Sequence, residues 1–270
     1  LMGPTDLARR FPYVRTVDLV AGSFGYEGEG WMDSGLLLAF LRREARAAGA
    51  VFVADEVIGL DREGDRLTGA RLASGATIKA GQIVNAAGPN AGTVAALAGV
   101  ALPVEPRKRF VYVVHCRTPL PGLPLLIDPS GVYVRPEGEY FLCGVSPDET
   151  ADARAAPDDF EMAYDLYEDV IWPTLANRIP AMEALKLVRG WAGHYDYNTV
   201  DQNAILGPHP QIENFFFANG FSGHGLQQAP AVGRALAEWL IDGQSTSIDL
   251  DVFRFDRFAA GKPVFEINVV

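Results

Sequence analysis

The chain has 270 residues, 49% of them hydrophobic, with 23 basic against 34 acidic side chains and a formal net charge of -11. That length suffices for a large core in one or two domains. The acidic balance argues against a nucleic-acid or anionic-membrane surface, because phosphate binding draws on clustered Lys and Arg; small molecules or proteins are the expected partners.

Cys116 and Cys143 sit in apolar, strand-like runs and read as buried free thiols. The four histidines show no metal-ligand spacing. No apolar run reaches the roughly 18 residues of a membrane span, and no signal peptide is visible, so a cytoplasmic protein without an integral membrane segment is expected.

In chain order, LARRFPYV suggests a short helix closed by Pro12, and TVDLVAGSFGYEGEG a strand or two with loops. The glycines from Gly22 to Gly30 lack the G-x-G-x-x-G order and carry Glu27 and Glu29, which would repel a pyrophosphate. Asp33 is placed to cap a helix over LLLAFLRREARAAG, with Leu36, Leu37, Phe40 and Leu41 on one face and Gly49 as its stop. Ala50 to Ala54 reads as a short strand. EVIGLDRE, RLTGARLA and TIKAGQIVN, broken at Gly64-Asp65 and Ser74-Gly75, read as an antiparallel meander. Gln82 to Gly88 runs from strand into NAAGPNAG, and Ala91 to Gly99 is a helix. Ala86, Ala87 and Gly88 permit close backbone approach, which suits either a phosphate or tight strand-to-helix packing.

From Pro103 the texture changes. RFVYVVHC, LPLLID, GVYVRPEG and EYFLCGVSP predict an antiparallel sheet with one face open to a pocket. Arg107, Arg109 and Arg135 are candidate carboxylate partners, since guanidinium offers a two-pronged fork; a surface ion pair is the plainer alternative for each. The acidic stretch from Asp148 predicts a loop, then a helix capped near Pro157-Asp158, its charges forming a solvated face. LKLVRGWAG is a strand. Trp191, His194, Tyr195 and Tyr197 after it form an aromatic group with hydrogen-bonding tips, suited to walling a pocket over a flat ring.

The stretch FFFANGFSGHGLQQAPAVGRALAEWLIDG, Phe215 to Gly243, reads as strand, glycine turn and helix in immediate succession. Phe215 to Phe217 suit a strand buried on both faces. The helix from about Leu226 carries Ala229, Val232, Ala235, Leu236, Trp239 and Leu240 at helical spacing and stops at Gly243. Its first N–H groups present donors and partial positive charge to whatever lies over the turn. An α/β-hydrolase reading is set aside, because Gly220-Phe221-Ser222-Gly223 misses the G-x-S-x-G spacing.

GFSGHGLQQAP followed by an amphipathic helix resembles the flavin-contacting segment of the D-amino-acid oxidase superfamily of FAD-dependent oxidoreductases, which includes sarcosine, dimethylglycine and glycine oxidase-like enzymes. WAGHYDYNTVDQNAILGPHP and IDLDVFRFDRF resemble the branch of FAD-dependent oxidoreductase domain proteins that serve respiratory-complex assembly. The resemblance implies a mixed α/β and α+β fold. An incomplete, doubly wound FAD-binding domain with a β-meander (30–104 and 191–255) would join an antiparallel-sheet substrate domain (1–29 and 105–190) and a C-terminal tail (256–270). The first βαβ unit is not found, so FAD is expected in the intact protein and weakly bound or absent in this chain, which alone is expected to be inactive.

The implied activity is oxidation of the C–N bond of a secondary or tertiary amino acid by hydride transfer to flavin N5. The alternative is a non-catalytic module with a protein partner that assists assembly of a respiratory complex. The resemblance assigns Val57 to the adenine and Ala86, Ala87 and Gly88 to the phosphates. It assigns Gly223, His224, Gly225, Leu226 and Gln227 to the ring system, and His194, Tyr195 and His224 to catalysis. Arg109, Arg135, Tyr195, Tyr197 and Gln227 are expected around the substrate. His194 stands where sarcosine oxidase carries flavin on a cysteine, Tyr195 near the family's carboxylate-binding arginine, and Gln227 in place of a lysine. These departures leave the identity of the amine open.

Overall fold

The computed structural model describes residues 1–148 and 150–266. In chain order its elements are α1 (Pro4–Arg10), α2 (Ser34–Ala47), β1 (Val57–Glu63), β2 (Arg66–Leu72), β3 (Thr77–Lys79), β4 (Ile83–Asn85), α3 (Ala91–Ala96), β5 (Val104–His115) and β6 (Leu126–Ile127). Then follow β7 (Tyr133–Glu137), β8 (Tyr140–Gly144), α4 (Tyr164–Leu166), α5 (Trp172–Arg178), β9 (Lys186–Asn198), β10 (Ile205–Pro208), β11 (Phe215–Asn219) and α6 (Gly225–Asp242). The chain falls into two compact units, residues 1–31 with 108–193, and 32–107 with the described residues from 194 onward.

In the first unit the strand order is β6-β7-β8-β5-β9, with β6 through β5 antiparallel. Alternation puts Tyr112 and Val114 of β5 on one face, where they join Val134, Cys143, Ile171, Leu175, Ile179 and Met182 in a fully buried core. The acidic stretch departs from expectation. No helix starts at Pro157-Asp158; α4 begins at Tyr164 without a side-chain cap and continues through a wide π turn, Tyr167–Ile171, into α5. Its charges are not all solvated either. Asp152 is 9% exposed and receives both terminal nitrogens of Arg109, at 2.8 and 2.9 Å, while Asp159 takes Lys108 at 2.7 Å.

The strand or two expected within 16–30 do not form; the only pairing there among the described residues is an isolated bridge, Met2 to Gly22. Instead buried Arg178 fixes the segment, donating to Asp18 at 2.8 and 2.9 Å, to the Arg15 carbonyl and to Asp128 at 2.7 Å.

The second unit holds two sheets, the meander β1-β2-β3 and β10-β11-β4, in which β11 runs parallel to β4 and antiparallel to β10. Phe215 and Phe217 turn toward Leu60, Leu67, Ala91 and Ala95, and Phe216 toward Val232, Ala235, Leu236 and Trp239 of α6. The strand is therefore buried on both faces, as its unbroken apolar run demands. Gly243 ends α6 in the left-handed conformation, φ 76°.

The side chain of Asn214 joins the two sheets: it accepts from the Leu67 N–H at 2.8 Å and donates to the Leu67 and Gly81 carbonyls at 2.7 and 2.9 Å. Asp33 caps α2 through the Leu36 N–H at 2.9 Å. The apolar face of that helix is not covered, since none of its residues is buried. Ala50 to Ala54 forms no strand among the described residues, leaving Val51 85% exposed; this corrects the expected strand. The tail expected over 256–270 begins as a short 3-10 turn in which Arg257 is buried against Asp201 at 2.7 Å, and its last residues, 267–270, lie outside the described residues.

Candidate functional site

The turn between β11 and α6 belongs to the second unit and is open to solvent at Gly223, Leu226 and Gln227. Helix α6 starts at Gly225 with His224 at the cap position, and no side chain caps it. The first turn of α6 holds no acidic residue, so the N–H groups of Gly225, Leu226 and Gln227 keep their donor capacity and partial positive charge.

The turn itself is tightly specified. Ser222, fully buried with φ 49°, donates its N–H to the Asp196 carbonyl at 3.2 Å and its hydroxyl to the Gly220 carbonyl at 3.3 Å. Its Oγ accepts from the Asn198 N–H at 3.0 Å. The Phe221 N–H donates to the Asp196 carboxylate at 3.2 Å. Gly223, with φ 103°, lies against the Tyr195 ring so closely that a Cβ there would stand 2.6 Å from Cε2.

β9 extends to Asn198, so Trp191, His194, Tyr195 and Tyr197 are all strand residues. Alternation sends Tyr195 and Tyr197 to one face and His194 and Asp196 to the other. Tyr197 lies under the guanidinium of Arg107, 5.4 Å from carbon to ring centroid. Asp196 is a carboxylate that sequence reasoning passed over. Burial raises its pKa above the usual carboxylate range, while the N–H groups of Phe221, Asp196 itself and Gly220 pull it back down. The signal was available: an acidic residue alternating with tyrosines in a half-buried strand.

Val57 is half-buried at the start of β1 opposite Leu72, against the core of the second unit. The turn Ala86-Ala87-Gly88 follows the carboxyl end of β4, and Asn85 shapes it, accepting from the Ala87 N–H at 3.2 Å and donating to the Ala91 carbonyl at 2.9 Å. At the matching end of β11, Asn219 is fully buried with neither side-chain polar atom hydrogen-bonded.

The arginines sort differently. Arg109 and Arg135 lie in the first unit, Arg109 engaged by Asp152 and Arg135 by Glu137, with the Trp31 ring 5.9 Å from the Arg135 guanidinium. Arg107 lies in the same unit as the turn; it meets Glu105 at 3.1 Å, and its buried Nε has no hydrogen-bond partner.

These residues fit the flavin that the sequence resemblance implies. The open start of α6 offers backbone donors to an electron-rich ring edge, two turns meet the carboxyl ends of parallel strands where α/β folds place ligands, and Asn219 presents an unused donor and acceptor beside them. Residues 1–239 match the family model described as FAD dependent oxidoreductase, DAO. The chain is 42% identical over 299 residues to FAD-dependent oxidoreductase domain-containing protein 1 of Bos taurus, which covers 98% of this chain and 61% of the relative. It thus spans about three fifths of that relative's length. Mitochondrial sarcosine dehydrogenase of Homo sapiens is 26% identical over 271 residues, covering 96% of this chain and 29% of that protein. Among solved structures, L-proline dehydrogenase from P. horikoshii superposes with a TM-score of 0.85 at 25% identity, over 98% of this chain and 70% of that one. The chain belongs to the DAO family of FAD-dependent oxidoreductases.

Proposed function

We propose that the protein oxidises the C–N bond of a secondary or tertiary amino acid of the sarcosine or dimethylglycine kind. The observation that carries this reading is the uncapped, solvent-open start of α6 beside Tyr195. Support comes from family membership and from relatives named for amino-acid substrates, sarcosine dehydrogenase and L-proline dehydrogenase. When bound, FAD supplies the two-electron acceptor for the substrate's hydride.

The chain's own residues bind, orient and stabilise charge. The N–H groups of Gly225, Leu226 and Gln227 would hold the ring edge where negative charge gathers, and each such donor would contribute about 3 kcal/mol to a developing anion. Gly223 and Tyr195 would wall the ring system, His224 would add a donor at the turn, and Gln227 would meet the substrate. Val57 serves the adenine and Ala86, Ala87 and Gly88 the phosphates. Arg107, its guanidinium over the Tyr197 ring and its Nε unused, is the arginine we assign to the substrate carboxylate, in place of Arg109 and Arg135. His194 is a hydrogen-bonding neighbour on the far face of β9. An amine that enters neutral needs no strong general base.

The test is anaerobic mixing of the full natural protein with sarcosine, N,N-dimethylglycine and proline. Loss of the oxidised flavin absorbance with at least one is the expected result. Unchanged colour with all three would transfer the reading to a non-catalytic assembly module.

A further inference from the structure

Asp196 is an acidic side chain bonded directly to the backbone of the flavin turn, and the function proposed above does not use it. Its carboxylate accepts the Phe221 N–H at 3.2 Å, and its carbonyl accepts the Ser222 N–H at the same distance. Ser222 in turn is locked to Asn198, two residues along the same strand. The turn is therefore clasped to β9 at Asp196 and Asn198, and one of those bonds ends on an ionisable group.

A partly buried carboxylate bonded to such a turn has an electrostatic consequence. The start of α6 presents partial positive charge, and a negative charge held at the Phe221 N–H, four residues before Gly225, opposes it. Neutral Asp196 leaves that partial charge intact. Ionised Asp196 weakens it.

We propose that Asp196 is a positioning residue whose ionisation sets how strongly the 220–227 turn favours the reduced, electron-rich flavin, so that the flavin's potential is linked to pH through this side chain. The proposal rests on the flavin reading of the turn given above, but not on the identity of the substrate. The ionisable groups on the elements around Asp196 are His194, Tyr195 and Tyr197 on its own strand, Glu105 and Arg107 on β5, and His224 in the turn. The pKa of Asp196 is raised by burial and drawn back by the N–H groups of Phe221, Asp196 and Gly220. The linkage sign follows. Because the pKa is raised, Asp196 stays neutral to a higher pH than a free carboxyl, and its opposing charge develops only as pH climbs through that raised value.

The experiment is a dithionite titration of bound flavin in the full natural protein and in Asp196→Asn, over a pH series that starts in the ordinary carboxylate range, about pH 4, and runs to about 8. Asn keeps an oxygen for the Phe221 N–H and cannot ionise. The expected result is a midpoint potential shifted upward in the variant at about pH 8, with the difference closing as pH falls through the raised pKa of Asp196. The natural protein alone should show an extra bend in potential against pH, a readout that holds whether or not the variant folds. A bend-free profile in the natural protein, or a variant offset that is the same at every pH, would overturn the proposal and leave Asp196 a structural clasp. Dithionite needs no amine, so failure to oxidise any amino acid would sink the substrate reading and leave this one standing.

Discussion

Gly223 rests against the ring of Tyr195 so tightly that the smallest side chain would overlap it, at 2.6 Å from Cε2 and 2.9 Å from Cζ. Two separate penalties meet at this position, contact with the ring and a left-handed backbone with φ 103°. Gly223→Ala is expected to destabilise the second unit by about 2–4 kcal/mol. Adding Tyr195→Ala should return the contact share and leave the backbone share. Urea unfolding of the two single variants and the double variant separates them; additive losses would show that the ring is not what excludes a side chain at 223.

The buried pair Arg109–Asp152, each side chain 9% exposed, predicts a stability phenotype. Arg109→Met strands a buried carboxylate and should lower stability by about 3–5 kcal/mol, whereas Arg109→Met with Asp152→Leu should recover most of the loss. Denaturant melts of both report it. An Arg109→Met protein as stable as its parent but with a raised KM for amino acids would return Arg109 to the substrate.

Much of the chain declares itself locally. The meander is marked by turn residues at Gly64-Asp65 and Ser74-Gly75, α2 by its Asp33 cap, and α6 by apolar spacing that ends at a glycine, because each signal lies within a few residues of what it specifies. The misses depend on partners far along the chain. Ala50 to Ala54 has the composition of a strand but no neighbour among the described residues to pair with. Residues 15–18 are held by Arg178, more than 150 positions away, which no local pattern betrays. The glycine turn was legible at the site, but its clasp was not. Asp196 and Ser222 look unremarkable until β9 and the turn are brought together, and the carboxylate that meets Arg109 lies 43 positions away, at Asp152.

Glu238 gives a pH prediction. Its carboxylate accepts the N–H groups of Ser247 and Thr246, at 2.9 and 2.8 Å, and these bonds hold its pKa down at about 2 against an ordinary 4.5. A depressed carboxylate stabilises the fold above its unfolded pKa and loses that contribution as pH falls toward the folded value. Glu238→Ala should therefore melt at lower temperature than the parent near neutrality, with the two curves converging as pH drops from about 4.5 toward 2. A gap that persists unchanged in acid would refute the carboxylate's role.

Cys143 is fully buried, and burial pushes its thiol up to about 12. Iodoacetamide needs the thiolate, so the folded protein should resist alkylation at this residue at about pH 8 and react promptly in denaturant. Mass spectrometry of the labelled peptide decides; rapid modification of Cys143 in the folded state would contradict the packing described.

Asn214 does with one carboxamide what a strand does with its backbone, filling both hydrogen-bonding groups of Leu67 from outside the meander. The meander and the parallel pair consequently cannot loosen one at a time. Amide protons of Leu67 and of the phenylalanine strand should exchange with deuterium at matching rates, and truncating Asn214 should let the hairpin breathe while its neighbour stays closed.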